Sequence, residues 1–133
     1  MYLLDTNVIS AARRPDRAPK LTAWFSAVPD DTLYLSVVTL GEIERGIRLQ
    51  ERRNPPFAAD LRAWLDRTVT VFSDRLLPFT ERDALVWGQL SADLGHPGAD
   101  LMIAASALTR GYTVVTANVS DFTPTGVPVE TPF

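Results

Sequence analysis

Apolar and polar positions along the chain follow two patterns, and each pattern predicts a different backbone structure. Short apolar or β-branched runs, bounded by polar and turn-forming residues, predict buried strands. Such runs occupy residues 2–4, 33–36, 76–79 and 112–116. Pro78 favours an edge or a strand end for the third run. A last edge strand is predicted at 127–129.

Between these runs, apolar residues recur at three- and four-residue intervals, as they do on one face of a helix. Helix 99–110 is apolar on nearly every side, which predicts that it is buried on most sides. Strands that alternate with helices indicate one α/β domain over residues 1–133, with a central, mostly parallel sheet flanked by helices. The other predicted helices cover 7–13, 39–51, 57–70, 80–94 and a segment from 16 or 17 to 28.

Composition narrows the class of protein only a little. With 133 residues, 46% of them hydrophobic and 22% charged, the chain suits one globular domain. It has no cysteine, which excludes disulfides and thiolate metal sites, and we expect a cytosolic protein without a signal peptide or membrane span. The net charge is −3 and Lys20 is the only lysine, so any binding of nucleic acid would be local and would use arginine.

Four acidic residues stand where predicted strands pass into helices. Asp5 closes the first strand, and Glu42 lies in the first turn of the helix after the second strand. Asp100 begins the apolar helix, and Asp121 follows the strand at 112–116. In open parallel sheets, ligands bind outside the carboxyl ends of the strands, so these corners are places where charge is useful.

Each acid also has a purely structural explanation. Asp5 can cap the helix that begins near Asn7, and Thr39 with Glu42 fits a capping box. An acid in a first helical turn, such as Asp100, complements the helix dipole. Asp121 can stabilise an Asx-turn, as can Asn118. Taken singly, none of the four positions separates capping from function.

Taken together, the four corners predict a shared site. Carboxylates that converge raise one another's pKa and cannot all stay ionised without a partner, and a divalent cation is the usual remedy. A ligand set that contains only oxygen atoms, with no sulfur or nitrogen, suits Mg²⁺ or Mn²⁺. Either ion can activate water for phosphodiester hydrolysis. Neutral polar side chains that can add oxygen contacts or hold water at this site are Thr6, Asn7, Thr116 and Asn118.

Several other polar residues permit both a functional and a structural interpretation. Arg45, Arg48 and Arg52 follow Glu42 at helical spacing and form either a phosphate-contacting stripe or a solvated face. Pairing of Glu44 with Arg48 favours the solvated face. Other residues weighed in the same way are Arg13 and Arg14 as RNA contacts, His96 as a proton carrier, and Trp24, Trp64 and Trp87 as core anchors.

Four ordered blocks of sequence resemble PIN-domain proteins, and most of all the VapC toxins of bacterial VapBC toxin–antitoxin systems. The blocks are Leu-Asp-Thr-Asn-Val-Ile-Ser at 4–10, Ser-Val-Val-Thr-Leu-Gly-Glu-Ile at 36–43, Ala-Asp-Leu-Met-Ile-Ala-Ala at 99–105 and Val-Thr-Ala-Asn-Val-Ser-Asp-Phe at 115–122. Because the blocks occur in order and span nearly the whole chain, they are specific together although each is weak alone.

The resemblance implies a PIN-like fold and an Mg²⁺- or Mn²⁺-dependent ribonuclease that cleaves structured RNA such as tRNA. Asp5, Glu42 and Asp100 match the three firmly held acids of the family, and Thr116 matches a small hydroxyl residue of the site. Asp121 matches a fourth, variable acid whose role falls at the position of Asn118 in related sequences. The family also implies a homodimer and a hetero-oligomer with a VapB antitoxin that inserts a basic side chain near the acids.

Two rival functions are compatible with the same residues. The chain can be a non-cleaving module that binds RNA or a partner, with its acids as helix caps or as a lure for a basic side chain. It can also be a DNA nuclease, because metal-assisted hydrolysis does not itself distinguish the two sugars. The helical faces at 21–25 and 57–65 are candidates for the antitoxin groove.

Overall fold

A parallel five-stranded sheet lies at the centre of the protein, described here from a computed structural model of residues 1–133. Its strand order is β3-β2-β1-β4-β5, and all four strand pairs are parallel. The central strand β1 is therefore hydrogen-bonded to β2 on one side and to β4 on the other. The strands are β1 (Tyr2–Leu4), β2 (Leu33–Ser36), β3 (Leu76–Leu77), β4 (Thr113–Val115) and β5 (Val129–Glu130).

Helices connect successive strands and cover both faces of the sheet, as parallel connections require. Three short 3-10 turns lie at Pro15–Arg17, Asp30–Thr32 and Thr123–Thr125. No helix combines the length and the hydropathy that a membrane crossing would need. The α-helices are α1 (Thr6–Ala12), α2 (Pro19–Ala27), α3 (Val37–Glu51), α4 (Pro55–Val71), α5 (Glu81–Leu94), α6 (Ala99–Leu108) and α7 (Val119–Phe122).

The sheet divides the core into two hydrophobic clusters because successive strand side chains point to opposite faces. Leu4 and Val115 pack with residues of α1 to α4 on one face. Leu3 and Val114 pack with α6 and with Phe122 on the other. The predicted burial of helix α6 is confirmed, since most of its side chains have no exposed surface.

Helix bounds differ from the predicted ones wherever a local cap or break decides them. Ser36 caps α3 through its hydroxyl, which accepts from the Val38 N–H, so that α3 begins at Val37 and not at Thr39. The predicted segment ending at 28 is divided into a 3-10 turn and α2. The predicted turn at 118–121 was wrong, because residues 119–122 form the short helix α7.

Candidate active site

One open cleft of about 570 Å³ lies at the carboxyl edge of the sheet and contains all four predicted acids. The acids reach it from four different elements, as expected when parallel strands end at one edge. No basic side chain lines the cleft, so its charge is negative. Its lining residues are Asp5, Thr6, Asn7, Ser10, Glu42, Ala99, Asp100, Asn118 and Asp121.

Asp5 is the best-fixed acid of the cleft. Its Oδ1 atom accepts from the Thr6 N–H at 2.8 Å, so the residue does cap α1 as its structural explanation required. Its Oδ2 atom accepts from the Thr116 hydroxyl at 2.8 Å and from the Asn7 side-chain amide at 2.9 Å. A carboxylate oxygen has two acceptor sites, so Oδ1 keeps one free while Oδ2 is saturated.

Burial sets the protonation behaviour of Asp5. The residue is only 7% exposed. This burial raises the pKa of the Asp5 carboxyl above its ordinary value, and the charges of Glu42 and Asp100 raise it further. Hydrogen bonds from Thr116 and from the Thr6 N–H lower it but do not cancel the effect of burial. Asp5 therefore lies close enough to both other acids for the three charges to interact.

Glu42 is held in place from α1. The Thr6 hydroxyl donates to Glu42 Oε1 at 2.6 Å and lies 3.2 Å from the Thr39 hydroxyl. Thr39 is fully buried in α3. The capping box of Thr39 and Glu42 was therefore wrong, since Ser36 caps the helix and Thr39 instead supports Thr6. Glu42 Oε2 makes no protein hydrogen bond and remains available in the cleft.

Asp100 enters the cleft from the first turn of α6, where its carboxylate folds back over Gly98. A Cβ atom on residue 98 would lie 2.5 Å from Asp100 Oδ1, closer than real side-chain contacts allow. A larger residue at position 98 would therefore have to displace the Asp100 carboxylate from this position. His96 accepts a hydrogen bond from the Gly98 N–H at 3.2 Å, which is the structural role expected of a loop histidine.

Asp121 and Asn118, the two candidates for the fourth position of the site, both line the cleft and are both exposed. The Asn118 N–H donates to the Thr116 hydroxyl at 2.9 Å, while the side chains of Asn118 and Asp121 make no protein hydrogen bond. The Asx-turn explanation is therefore not observed at either residue. Asn7 fixes the neighbouring backbone, because its Oδ1 atom accepts from the Ala117 N–H at 3.2 Å.

The donor set of the cleft is suited to a hard divalent cation. Its charged ligand atoms are all carboxylate oxygens, and no histidine, cysteine, lysine or arginine lines it. No three acidic or histidine side chains are grouped closely enough to ligate one ion together. Mg²⁺ usually keeps several waters and takes only one or two protein carboxylates, so the arrangement fits an ion of that kind.

The predicted RNA-binding arginines lie in different surroundings. Arg13 is half-buried beside the acid cleft, with its guanidinium 5.3 Å from the centroid of the Phe57 ring. Arg45 and Arg48 are exposed on α3 and line neither the cleft nor the space beside Arg13. Arg48 pairs with Glu51 at 2.9 Å and not with Glu44.

Three further features of the surroundings are the unpredicted Ser10, the ion pair of Glu44 and the packing of Trp24. Ser10 lines the cleft, and its position one helical turn after Thr6 on α1 is the signal that places it there. Glu44 forms its ion pair with Arg62 of α4. Trp24 acts as an anchor, since it packs on Tyr2 and donates to Glu130 Oε1 at 2.7 Å.

Comparison with known proteins agrees with this fold. The family model described as PIN domain matches residues 2–123. Ribonuclease VapC14 of Mycobacterium tuberculosis is 38% identical over 96 residues, which are 71% of this chain and 89% of that protein.

Two solved structures extend the similarity to the three-dimensional fold. The crystal structure of FitAcB from Neisseria gonorrhoeae has a TM-score of 0.85 and 33% identity, and the match covers 99% of this chain and 98% of that chain. A structure of VapBC-5 from M. tuberculosis, described as a member of the VapBC family of toxin–antitoxin systems, has a TM-score of 0.59 and 28% identity over 97% of this chain and 94% of that one.

Proposed function

Because the chain belongs to the PIN-domain family, in its VapC branch, we propose that it is a toxin of a VapBC-type system and acts as an endoribonuclease. The observation that carries the proposal is the cleft at the sheet edge, where Asp5, Glu42, Asp100 and Asp121 meet without any basic partner. The substrate is structured RNA such as tRNA, and the reaction is hydrolysis of a phosphodiester bond.

The acids act through a divalent cation, Mg²⁺ or Mn²⁺. Asp5, Glu42 and Asp100 are proposed to hold the ion, one or two of them directly and the rest through its bound water, and Asp121 assists directly or through water. Such a cation lowers the pKa of water and stabilises the charge that develops on a phosphoryl oxygen. The free acceptor sites on Asp5 Oδ1 and Glu42 Oε2 are the atoms through which these two residues would bind such an ion.

The neutral residues of the cleft have positioning roles in this proposal. Thr116 and Asn7 hold Asp5 Oδ2, so the carboxylate presents its other oxygen to the cleft. Thr6 occupies Glu42 Oε1 in the same way. Asn118 and Asp121 are exposed at the mouth, where they can hold water.

The test is cleavage by the purified protein with Mg²⁺ or Mn²⁺, and again after EDTA. Asp5→Asn should lower the cleavage rate at least about a thousandfold and abolish growth arrest, because it removes one charged ligand at a site that depends on charge. An unchanged circular dichroism spectrum would show that the fold is kept. Glu51→Gln, which alters an exposed acid on α3 outside the cleft, is the matched control.

The rival functions predict different outcomes of the same assay. Full cleavage by the Asp5→Asn variant would overturn the mechanism, and binding without cleavage at any metal concentration would favour the non-cleaving module. A single-stranded DNA of matching sequence tests the DNA nuclease. Sequencing of the RNA ends left after a brief induction identifies the substrate and the position of the cut.

The proposed partner is a VapB-like antitoxin, with which the chain forms a hetero-oligomer, and the toxin alone is proposed to be a homodimer. An apolar groove of about 510 Å³ between α1, α2 and α4 supports the antitoxin proposal, since Phe25, Trp64 and Val71 line it. Light scattering of the toxin alone and after co-expression with its antitoxin measures both assemblies.

A further inference from the structure

A second, smaller cleft opens directly beside the acid cleft. It has a volume of about 270 Å³ and lies between α1, α3 and α4. Thr6, Ser10 and Glu42 line both clefts, so the two spaces are continuous. We call this space the side cleft; its remaining lining residues are Arg13, Ile43, Gly46, Ile47, Gln50, Phe57, Leu61 and Trp64.

The side cleft is kept open by a glycine in the middle of a helix. Glu42, Gly46 and Gln50 form one row along α3, because residues four apart lie on the same helical face. A Cβ atom on Gly46 would meet no other atom within 4 Å, so its absence leaves free space. Glycine within a helix is less favourable than alanine, and packing against a neighbour does not explain it here.

The walls of the side cleft combine planar groups, namely an aromatic ring and a guanidinium, with apolar and polar side chains. The Arg13 guanidinium lies over the Phe57 ring and has no acidic partner among the ion pairs of the protein. Trp64 and Leu61 add apolar surface. The side chains of Ser10 and Gln50 make no hydrogen bond to other protein groups and remain available as donors and acceptors.

We propose that the side cleft binds the base of the RNA nucleotide next to the scissile phosphate. Unpaired bases are recognised by stacking on aromatic rings or arginine planes and by hydrogen bonds to their polar edges. The stacked Arg13 and Phe57 supply the surface, and Gln50 supplies the edge contact. This inference rests on the proposed nuclease function, because a strand with its phosphate at the acids must place a neighbouring nucleotide beside them.

An RNA occupant accounts for the charge distribution better than a peptide does. Arg13 is the only basic residue that lines either cleft, and it lines the side cleft beside the acids. The larger apolar groove between α1, α2 and α4 shares only Trp64 with the side cleft and already offers a hydrophobic partner a surface of its own.

Gly46→Leu tests the proposal, because leucine favours the helix and fills the side cleft. Gly88→Leu is the matched control, since Gly88 also has open space around it and lies in α5, which lines neither cleft. We expect Gly46→Leu to raise KM for RNA about tenfold or more while its thermal stability is kept. We expect Gly88→Leu to cleave RNA as the unaltered protein does.

Substrates with one abasic ribose next to the cut make the test specific for a base. The unaltered protein should lose about tenfold in kcat/KM at one flanking position, and Gly46→Leu should lose nothing further there. Gln50→Met, which keeps side-chain length and helix propensity, should reduce the preference among the four bases at that position.

The proposal would be overturned if Gly46→Leu and the unaltered protein cleaved RNA with equal KM and kcat. It would also be overturned if the abasic substrate lowered kcat/KM by the same factor in both proteins. A third result would also overturn it: Gly46→Leu cleaves RNA with unchanged kinetics, but the co-expressed antitoxin no longer neutralises it. The side cleft would then bind the protein partner and not RNA. Metal-dependent cleavage by the unaltered protein, measured in the same series, separates these outcomes from failure of the nuclease function itself.

Discussion

Asp5 shows how one side chain can serve two purposes at the cost of stability. Its carboxylate caps α1, yet it is buried beside two other acids. Burial of a carboxylate raises its pKa, because the charged form loses its hydration. Burying the Asp5 carboxylate therefore lowers the stability of the fold while it serves the site, a compromise that is common at functional sites.

A stability measurement across pH follows from the raised pKa of Asp5. Between the pKa values of the unfolded and folded states, the folded protein binds more protons, so this residue's contribution to stability falls as pH rises. Asp5→Asn stays neutral, so its free energy of unfolding relative to the unaltered protein should increase from acid to neutral pH.

Thermal denaturation in EDTA measures this change as the difference in Tm between the two proteins at each pH. Asp121→Asn, which alters an exposed acid of the same cleft, should show a smaller change with pH. A difference between Asp5→Asn and the unaltered protein that does not vary with pH would contradict this expectation.

The positions of the acids were predictable from the sequence, whereas the hydrogen bonds that hold their side chains in place were not. Asp5 follows an apolar run, and the end of a parallel strand is a defined place in the fold. The bond from Thr6 to Glu42 joins residues 36 positions apart, and no local pattern reports such a contact. The choice between Ser36 and Thr39 as the cap of α3 was also undetermined, because both residue types are favoured at helix N-caps and the difference between them is small.

Helices α5 and α6 are joined by a buried ionic cluster on Asp83. Its carboxylate closes the capping box with Thr80 and accepts from the Thr109 hydroxyl at 2.5 Å and from Arg110 at 3.0 Å. Burial alone would raise the pKa of Asp83, but these hydrogen bonds outweigh it and hold the pKa below its ordinary value. The cluster fixes α6, and α6 carries Asp100.

Asp83→Asn should therefore destabilise the protein by about 3 kcal/mol at neutral pH, since it leaves Arg110 without a charged partner. A lowered pKa gives stability above the unfolded value that is lost as pH falls through the folded value, so the difference should shrink in acid. Urea denaturation at neutral and acidic pH measures it.

The exposed pair of Arg48 and Glu51 provides the control for this cluster. Glu51→Gln should cost less than about 1 kcal/mol, because exposed ion pairs contribute little. Equal costs for Glu51→Gln and Asp83→Asn would contradict the assignment of Asp83 as the residue that joins the two helices.

Across the whole molecule, every basic residue except Arg13 lies outside the two clefts that the proposed substrate would occupy. The net charge is −3, and among the lining residues of both clefts only Arg13 is basic. Affinity for RNA that depends on few phosphate contacts varies little with salt, because few counterions are released on binding.

An increase in monovalent salt from about 50 to about 200 mM should thus weaken RNA binding by Asp5→Asn protein less than about tenfold. Arg45→Gln and Arg48→Gln should leave this dependence unchanged, because both arginines are exposed away from the clefts. A steep dependence that becomes shallow in either variant would make the arginine stripe of α3 an RNA contact after all. Filter binding at several salt concentrations measures it.

The order of the strands also determines how much of the chain must be synthesised before the acid cleft can form. Strand β1 is synthesised first, but one of its two neighbours is β4, at Thr113–Val115, and Asp5 takes a hydrogen bond from Thr116. A nascent chain still lacking those residues has an incomplete central sheet and an unsupported Asp5. The acid cleft can therefore be completed only after residue 116 has left the ribosome.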